Sequence, residues 1–326
     1  MTTISFPHIG VQTETPVAAA VREGLAASPK RLPAWLFYDS EGSRLFDQIT
    51  ILPEYYLTRT ERQILSAHAE KIVAMANDGN RLQIAELGAG SADKTRILLQ
   101  AATDRQGTLF YEPIDVSASA LEEARERIEC EIPGVHVLPR VMDYTQGLSL
   151  HPTAHGERRL LLYIGSSIGN FEPEQAADVL QTVRAGLETG DTLLLGVDLQ
   201  KDEATLLAAY DDASGVTAQF NLNMLARLNC ELAADFDLDC FAHRAVWNAV
   251  ASRIEMHLES LKAQRVHIAA IGLKIEFKEG ERIHTENSYK YAAGQAEAML
   301  AAAGFTAEST WTDERGWFAV CLARAC

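Results

Sequence analysis

The sequence predicts an α/β fold: a parallel sheet with helices on both faces, joined to a separate α+β domain. Two observations carry this. From about residue 61 to Leu199, short apolar runs alternate with helical stretches, the pattern of parallel α/β proteins. After Leu199 the alternation breaks, and residues 200 to about 287 carry polar/apolar alternations such as "RIEMHLES" and "LKIEFKEGERI", the pattern of half-exposed antiparallel strands.

The elements follow in order. "RTERQILSAHAEKIVAMA" places Ile64, Leu65, Ile72 and Val73 on one helical face. The expected strands are "LQIAEL" (82–87), "TLFYEPIDV" (108–116), "VHVLPRV" (135–141), "RLLLYIGSSI" (159–168) and "TLLLGVDL" (192–199). Helical stretches near 93–102, 117–130 and 173–187 separate most of them. "EATLLAAYDD" and "TAQFNLNMLARLNCEL" read as helical. The chain returns to the first pattern with a helix over 289–303 and two last strands, "FTAEST" and "WFAVCLARA". The expected division is a core of residues 61–199 and 288–326, and a second domain of residues 1–60 and 200–287.

Composition narrows the functional classes. Acidic residues outnumber basic ones, 45 to 29, for a net charge of -16. That disfavours nucleic acid and anionic membranes, whose binding depends on cationic side chains. Five cysteines form no CxxC pair, so neither a disulfide framework nor a zinc site is expected, and a reducing compartment fits. The nine histidines show no ligand spacing, and no metal is expected. The first twenty residues lack a basic segment followed by an apolar run. We expect a cytoplasmic monomer acting on a small molecule.

The strongest local signal is "AELGAGSADKT", residues 85–95. An apolar strand ends in an acidic residue, a glycine turn follows, and a helix is expected from near Asp93. Glycines let the backbone approach a ligand, and a helix start favours a negative group. The dinucleotide pattern G-x-G-x-x-G fails because Asp93 stands at its third glycine. A nicotinamide oxidoreductase is therefore disfavoured against an enzyme using S-adenosylmethionine. Asp115, closing the next strand, suits the two ribose hydroxyls, and Asp143, after the third, suits the exocyclic amine of adenine. The competing reading is that Asp115 and Asp143 cap the following helices. Glu86, Gly88, Gly90, Lys94, Asp115 and Asp143 are the candidate cofactor residues. A helix and two closing strands after the fifth strand complete the order expected of a class I methyltransferase, a Rossmann-like sheet.

The stretches "LFYDSEGSRLFDQIT", "LPEYYLTRTERQIL", "LGAGSADKTR", "YIGSSIGNF", "AYDDASGVTAQFNLN", "RIEMHLES" and "HTENS" resemble the histidine-specific Nα-methyltransferases of ergothioneine biosynthesis. The resemblance implies transfer of three methyl groups from S-adenosylmethionine to the α-amine of L-histidine, giving hercynine and S-adenosylhomocysteine. It implies that Gly165, Asn170 and Tyr210 hold the amine and carboxylate. Tyr55, Glu286 and Ser288 would meet the imidazole, with the adjacent Tyr56 as an alternative to Tyr55. Tyr38 and Phe46 would line the methyl-accepting side, and Met256 would pack over the ring. Tyr38 and Asn170 are the candidate catalytic residues.

The pair in "HTENS" has a physical logic. On an extended chain, Glu286 and Ser288 project to the same side. Imidazole has two nitrogens, each able to donate or accept, and a carboxylate with a hydroxyl matches that edge. The competing readings are ordinary ones. Ser288 caps the helix "YKYAAGQAEAML", Glu286 is a solvated charge, and Met256 is core beside Ile254 and Leu258. Asn170 caps the helix near Pro173, Tyr210 is a half-buried helix residue, and Asp211 and Asp212 are a solvated pair. Two further functions compete with histidine methylation: methylation of another amino acid or indole amine on the same scaffold, and amino-acid binding without turnover.

Overall fold

The computed structural model of the chain describes residues 14–90 and 92–326. It divides into two compact units. The larger comprises Ser43–Thr217, Ala245–Met256 and Asn287–Cys326; the smaller comprises the described residues up to Gly42 with Ala218–Arg244 and His257–Glu286.

In chain order the helices are α1 (Pro16–Ala26), α2 (Ser40–Thr50), α3 (Tyr56–Asn77), α4 (Arg96–Gln106), α5 (Ala118–Glu131), α6 (Pro173–Ala185), α7 (Glu203–Tyr210), α8 (Val216–Leu232) and α9 (Gln295–Ala302). The strands are β1 (Lys30–Arg31), β2 (Arg81–Leu87), β3 (Leu109–Asp115), β4 (Val135–Val137), β5 (Arg140–Val141), β6 (Glu157–Tyr163), β7 (Thr192–Asp198), β8 (Phe241–Asn248), β9 (Arg253–Ser260), β10 (Gln264–Ile268), β11 (Leu273–Phe277), β12 (Arg282–Tyr289), β13 (Phe305–Thr312) and β14 (Phe318–Ala325).

The larger unit is built on a sheet of order β13-β14-β7-β6-β2-β3-β4, with β5 also on β3. β7, β6, β2, β3 and β4 pair in parallel, whereas β14 joins β7 and β13 joins β14 antiparallel. This is the class I methyltransferase sheet that the sequence predicts. Strand alternation puts successive residues on opposite faces. Leu160 and Leu162 pack with Leu65, Ile72 and Leu98 on one face; Leu161 and Tyr163 pack with Leu180 and Leu300 on the other. Each such buried side chain contributes about 1.5–3 kcal/mol, which is why these strands read as unbroken apolar runs.

The smaller unit contains the hairpin β10–β11, paired Gln264↔Phe277 to Ile268↔Leu273. Phe236, Phe241 and Phe277 meet edge to face within it. Asn221 ties α8 to this unit's strands, its amide contacting His243 at 2.8 Å and donating to the His257 carbonyl at 3.0 Å. Strand order in the four-stranded sheet is β1-β12-β9-β8.

Several expectations change. The compact units place residues 43–60, 200–217, 245–256 and 287 with the larger unit, where the sequence division puts them in the second domain. Side-chain bonds explain the first two: Tyr56 bonds Asp198 and Tyr210 bonds Ser288. Residues 1–13 of that expected domain lie outside the described residues. The helix expected over 289–303 is shorter, Gln295–Ala302, because β12 continues to Tyr289; the Lys290 N–H then donates to the Ser252 carbonyl at 2.8 Å. Ser288 is therefore a strand residue and caps no helix. All five cysteines are free. Among the described residues no helix is long and apolar enough to cross a membrane, and no His/Cys/Asp/Glu cluster could hold a metal.

Candidate active site

The parallel strands β2, β3, β6 and β7 end at Leu87, Asp115, Tyr163 and Asp198, along the edge where open α/β sheets bind ligands. After β2 the backbone turns left-handed at Gly88 (φ +64°), Gly90 (φ +48°) and Ala92 (φ +50°). A Cβ at Gly88 or Gly90 would meet no atom within 4 Å, so backbone conformation demands glycine there and the space over the loop is open. Asp115 braces the loop: Gly90 N–H donates to its Oδ2 at 3.1 Å and Ser117 N–H to its Oδ1 at 2.9 Å. Each oxygen keeps a further lone pair for a ligand hydroxyl. An open backbone cradle with a half-exposed carboxylate at its rim fits the ribose of S-adenosylmethionine.

Glu86 points inward. It is buried and accepts hydrogen bonds from Thr95 Oγ1, at 2.7 Å to each oxygen, and from the Tyr111 hydroxyl. Burial raises its pKa to about 7 against the opposing effect of these bonds. The contacts make Glu86 a strut between the glycine turn and the start of α4, which begins at Arg96. Asp143 is exposed and spends Oδ1 on the Thr145 N–H (2.9 Å) and hydroxyl (2.6 Å), the capping role that competed for it.

Lys94 and Gly165 meet through Glu61, a residue that the motifs did not single out. Glu61 is fully buried, pairs with the Lys94 ammonium, and accepts from Gly165 N–H at 2.9 and 3.0 Å. Gly165 lies at φ +81°, and a Cβ there would come 3.2 Å from Lys94 Nζ. Asn170 closes the short 3-10 helix Ser167–Asn170. Glu172, not Asn170, caps α6, its N–H donating to Gln175 Oε1 at 3.2 Å.

On the substrate side the larger unit brings four expected residues into one aromatic cluster. Tyr55 stands edge-on to Phe46 and to Tyr210, each at 6.3 Å between ring centroids. The Tyr210 hydroxyl lies 2.6 Å from Ser288 Oγ. The neighbouring Tyr56 is committed elsewhere: it packs on Trp317, donates to Asp198 Oδ2 at 2.7 Å and accepts from Lys201 at 2.7 Å. Burial and the Asp198 charge push the Tyr56 pKa far up, so its hydroxyl stays protonated. Burial draws Lys201 down to about 8, opposed by Asp198.

Lys290 completes this cluster. Its ammonium lies 2.9 Å from the Tyr210 hydroxyl, 2.8 Å from Ser288 Oγ and 2.8 Å from Asp198 Oδ2. Asp198 carries the one available sequence signal, an acidic residue closing an apolar strand in "TLLLGVDL". Met256 is buried on β9, as are Ile254 and Leu258 two positions to either side. In the smaller unit, Tyr38 is 37% exposed and edge-on to Phe220 at 6.0 Å, and Glu286 is half-buried on β12. Asp212 is no solvated charge. It is buried and accepts from Thr217 N–H (2.7 Å), Val216 N–H (3.0 Å) and Ser214 Oγ (2.8 Å). Burial raises its pKa, but those bonds outweigh it and leave the carboxyl at about 2.

Comparison with known proteins agrees with this geometry. A family model described as "Histidine-specific methyltransferase, SAM-dependent" matches residues 17–325. A histidine N-alpha-methyltransferase of Mycolicibacterium smegmatis is 47% identical over 93% of both chains. One of Mycobacterium tuberculosis is 45% identical, again over 93% of each. A 4-dimethylallyltryptophan N-methyltransferase of Epichloe festucae var. lolii is 29% identical, covering 92% of this chain and 92% of its own. By its sheet, its glycine cradle and a family match over nearly its whole length, the chain belongs to the histidine-specific, S-adenosylmethionine-dependent methyltransferases.

Proposed function

We propose that the protein transfers three methyl groups from S-adenosylmethionine to the α-amine of L-histidine, giving hercynine, the first step of ergothioneine biosynthesis. The observation that carries this reading is the gathering of Phe46, Tyr55, Tyr210 and Ser288, from three distant stretches of the chain, into one cluster. The histidine-specific relatives support the same acceptor.

S-Adenosylmethionine, when bound, supplies an electrophilic methyl group on sulfur and leaves as S-adenosylhomocysteine. The chain's own task is placement, and holding two reactants in line lowers a barrier by ~7–11 kcal/mol in favourable cases. Gly88, Gly90 and Asp115 cradle the donor, with Asp143 toward the adenine and Lys94 and Glu86 supporting the loop. Gly165, Asn170 and Tyr210 hold the amino acid, and Tyr55 with Ser288 and Glu286 reads the imidazole. Glu286 and Ser288 stand two positions apart on β12, so strand alternation turns both to one face. An imidazole lacking either partner would leave a polar group unpaired at a cost of about 1–3 kcal/mol.

An α-ammonium has no lone pair, so the amine gives up a proton to water before each transfer. The growing group becomes a bulky cation, and the ring of Phe46 stabilises it by ~0.5–2 kcal/mol.

The test is to incubate the protein with S-adenosylmethionine and L-histidine, with L-tryptophan alongside, and follow the mass of the amino acid. Gain of three methyl groups on histidine alone is the expected result. Methylation of tryptophan in its place would favour the second reading, an indole-amine acceptor, which the 4-dimethylallyltryptophan relative motivates.

A further inference from the structure

Glu61 reaches two loops from one position on α3. Its side chain is fully buried, accepts the Gly165 N–H on both oxygens, and pairs with the Lys94 ammonium through Oε2. The packing around it is built for that carboxylate. β7 runs apolar from Leu193 to Leu195 and then carries Gly196, where a Cβ would collide with Glu61 Oε1 and come 3.3 Å from the Ile164 Cα. A glycine inside a strand weakens it and marks the close approach of another group; here that group is a charged side chain from α3.

The turn that Glu61 holds is strained. Gly165 lies at φ +81° and Ser166, which has a side chain, at φ +59°. Such backbone persists only where its surroundings over-determine it. Glu61 takes the Gly165 N–H, the Ser167 hydroxyl donates to the Ile164 carbonyl at 3.3 Å, and Ser166 Oγ accepts from the Asp198 N–H at 2.9 Å. Asn170 ends the 3-10 helix that this turn starts. Gly165 and Asn170, both assigned above to the amino acid, are therefore aimed by a turn that Glu61 helps to hold.

The other end of the link is the donor loop. Lys94 follows the glycine turn, and its Nζ would lie 3.2 Å from a Cβ at Gly165. A second ion pair, Arg62 with Asp93, also joins α3 to this loop, but both of its side chains are half-exposed, and exposed pairs contribute little. The buried carboxylate has no water to turn to and keeps its partners, and close-packed interiors transmit displacement. A shift of Lys94 is thus passed to the Gly165 turn, and a shift of the turn to Lys94.

We propose that Glu61 is a positioning residue: through Lys94 and Gly165 it sets the donor cradle against the turn that holds the amino acid, so that each ligand binds more tightly when the other is present. The inference rests on the histidine reading above and adds to it the group that carries the coupling. Coupling between two binding sites is reciprocal, which gives the measurement an internal check.

The experiment is calorimetric titration of L-histidine, with and without saturating S-adenosylhomocysteine, into wild type, Glu61→Gln and Lys94→Met. Glu61→Gln keeps an acceptor for the Gly165 N–H and removes the charge that holds Lys94; Lys94→Met removes the cation. In wild type, S-adenosylhomocysteine is expected to tighten histidine by about fivefold or more, and histidine to tighten S-adenosylhomocysteine by the same factor. In both variants the factor is expected to fall below about twofold, whatever happens to either affinity alone. A group that only stabilises the fold would lower the melting temperature, followed alongside, and leave the factor unchanged. A wild-type factor below about twofold, or either variant keeping the wild-type factor, would overturn the proposal. Should Glu61→Gln not fold, Lys94→Met, on the more exposed partner, decides the matter by the same factor. Wild-type protein that leaves histidine unmethylated sinks the histidine reading itself; wild type that methylates histidine without coupling sinks only this role of Glu61.

Discussion

The Gly165 N–H donates to both carboxylate oxygens of Glu61, at 2.9 and 3.0 Å. One buried acid thereby joins the loop after β6 to Lys94 beside the glycine turn, within the larger unit. Gly165 itself lies in the left-handed region against Lys94, so loop, glycine and ion pair are specified together.

Glu61→Ala leaves an N–H and an ammonium without their shared acceptor. Breaking a buried pair in this way costs about 3 kcal/mol. Urea unfolding of the variant is expected to show that loss, and Glu61→Gln, which keeps an acceptor for Gly165, a smaller one. Equal stability of Glu61→Ala and wild type would remove Glu61 from this role.

The adjacent tyrosines are expected to separate by phenotype. Tyr56→Phe deletes a hydroxyl bonded to Asp198 and Lys201 and loses about 1–3 kcal/mol of stability, with KM for histidine little changed. Tyr55→Phe keeps the ring between Phe46 and Tyr210 and raises KM with little loss of stability. Denaturation and steady-state kinetics on both variants decide it, and the reverse pattern would reassign the pocket to Tyr56.

Asp115→Ala removes the brace on Gly90 and the carboxylate at the rim of the cradle. Affinity for S-adenosylhomocysteine, measured by calorimetry, should fall by about tenfold or more, near the 1.4 kcal/mol of one good polar contact. Unchanged affinity would mean that the donor's hydroxyls are bound elsewhere.

Glu86 links stability to pH. Its carboxyl titrates near 4.5 in the unfolded chain and at about 7 when folded, because burial penalises the charge. Between those values the folded protein holds a proton that the unfolded chain has released. Stability from this group is therefore full below 4.5 and declines as pH rises through 7, by about 3 kcal/mol for a shift of this size. Glu86→Gln carries no charge at either end, so its melting temperature should gain on wild type between about pH 5 and about pH 8. A gap that stays constant with pH would show that Glu86 does not titrate in this range.

Much of the candidate site was legible as sequence because its signals are local. "AELGAGSADKT" encodes a strand and a turn that needs positive φ within eleven residues, and the turn at Gly88 and Gly90 appears there, although α4 begins at Arg96 and not near Asp93 as expected. Asp115 was legible for the same reason, as the last residue of an apolar strand. Glu61 was not: on α3 it is one acid among polar neighbours, and its partners lie 33 and 104 positions away. Lys290 and Asp212 were hidden likewise, since a charged residue in a polar stretch reads as solvated until its bonds are seen.

By itself, then, the sequence determined the alternation of strands and helices, the apolar parity that gives β6 two buried faces, and the glycine turn. Each is a consequence of backbone sterics or of periodicity over a few residues. Only the tertiary structure decided which of Tyr55 and Tyr56 faces Phe46 and Tyr210, that β12 runs on through Ser288, and that Lys290 binds both Ser288 and Tyr210. Those outcomes depend on which hydrogen-bonding groups meet once burial has removed water as their alternative partner, and that pairing is set by contacts far apart in the chain, 142 positions for Tyr56 and Asp198.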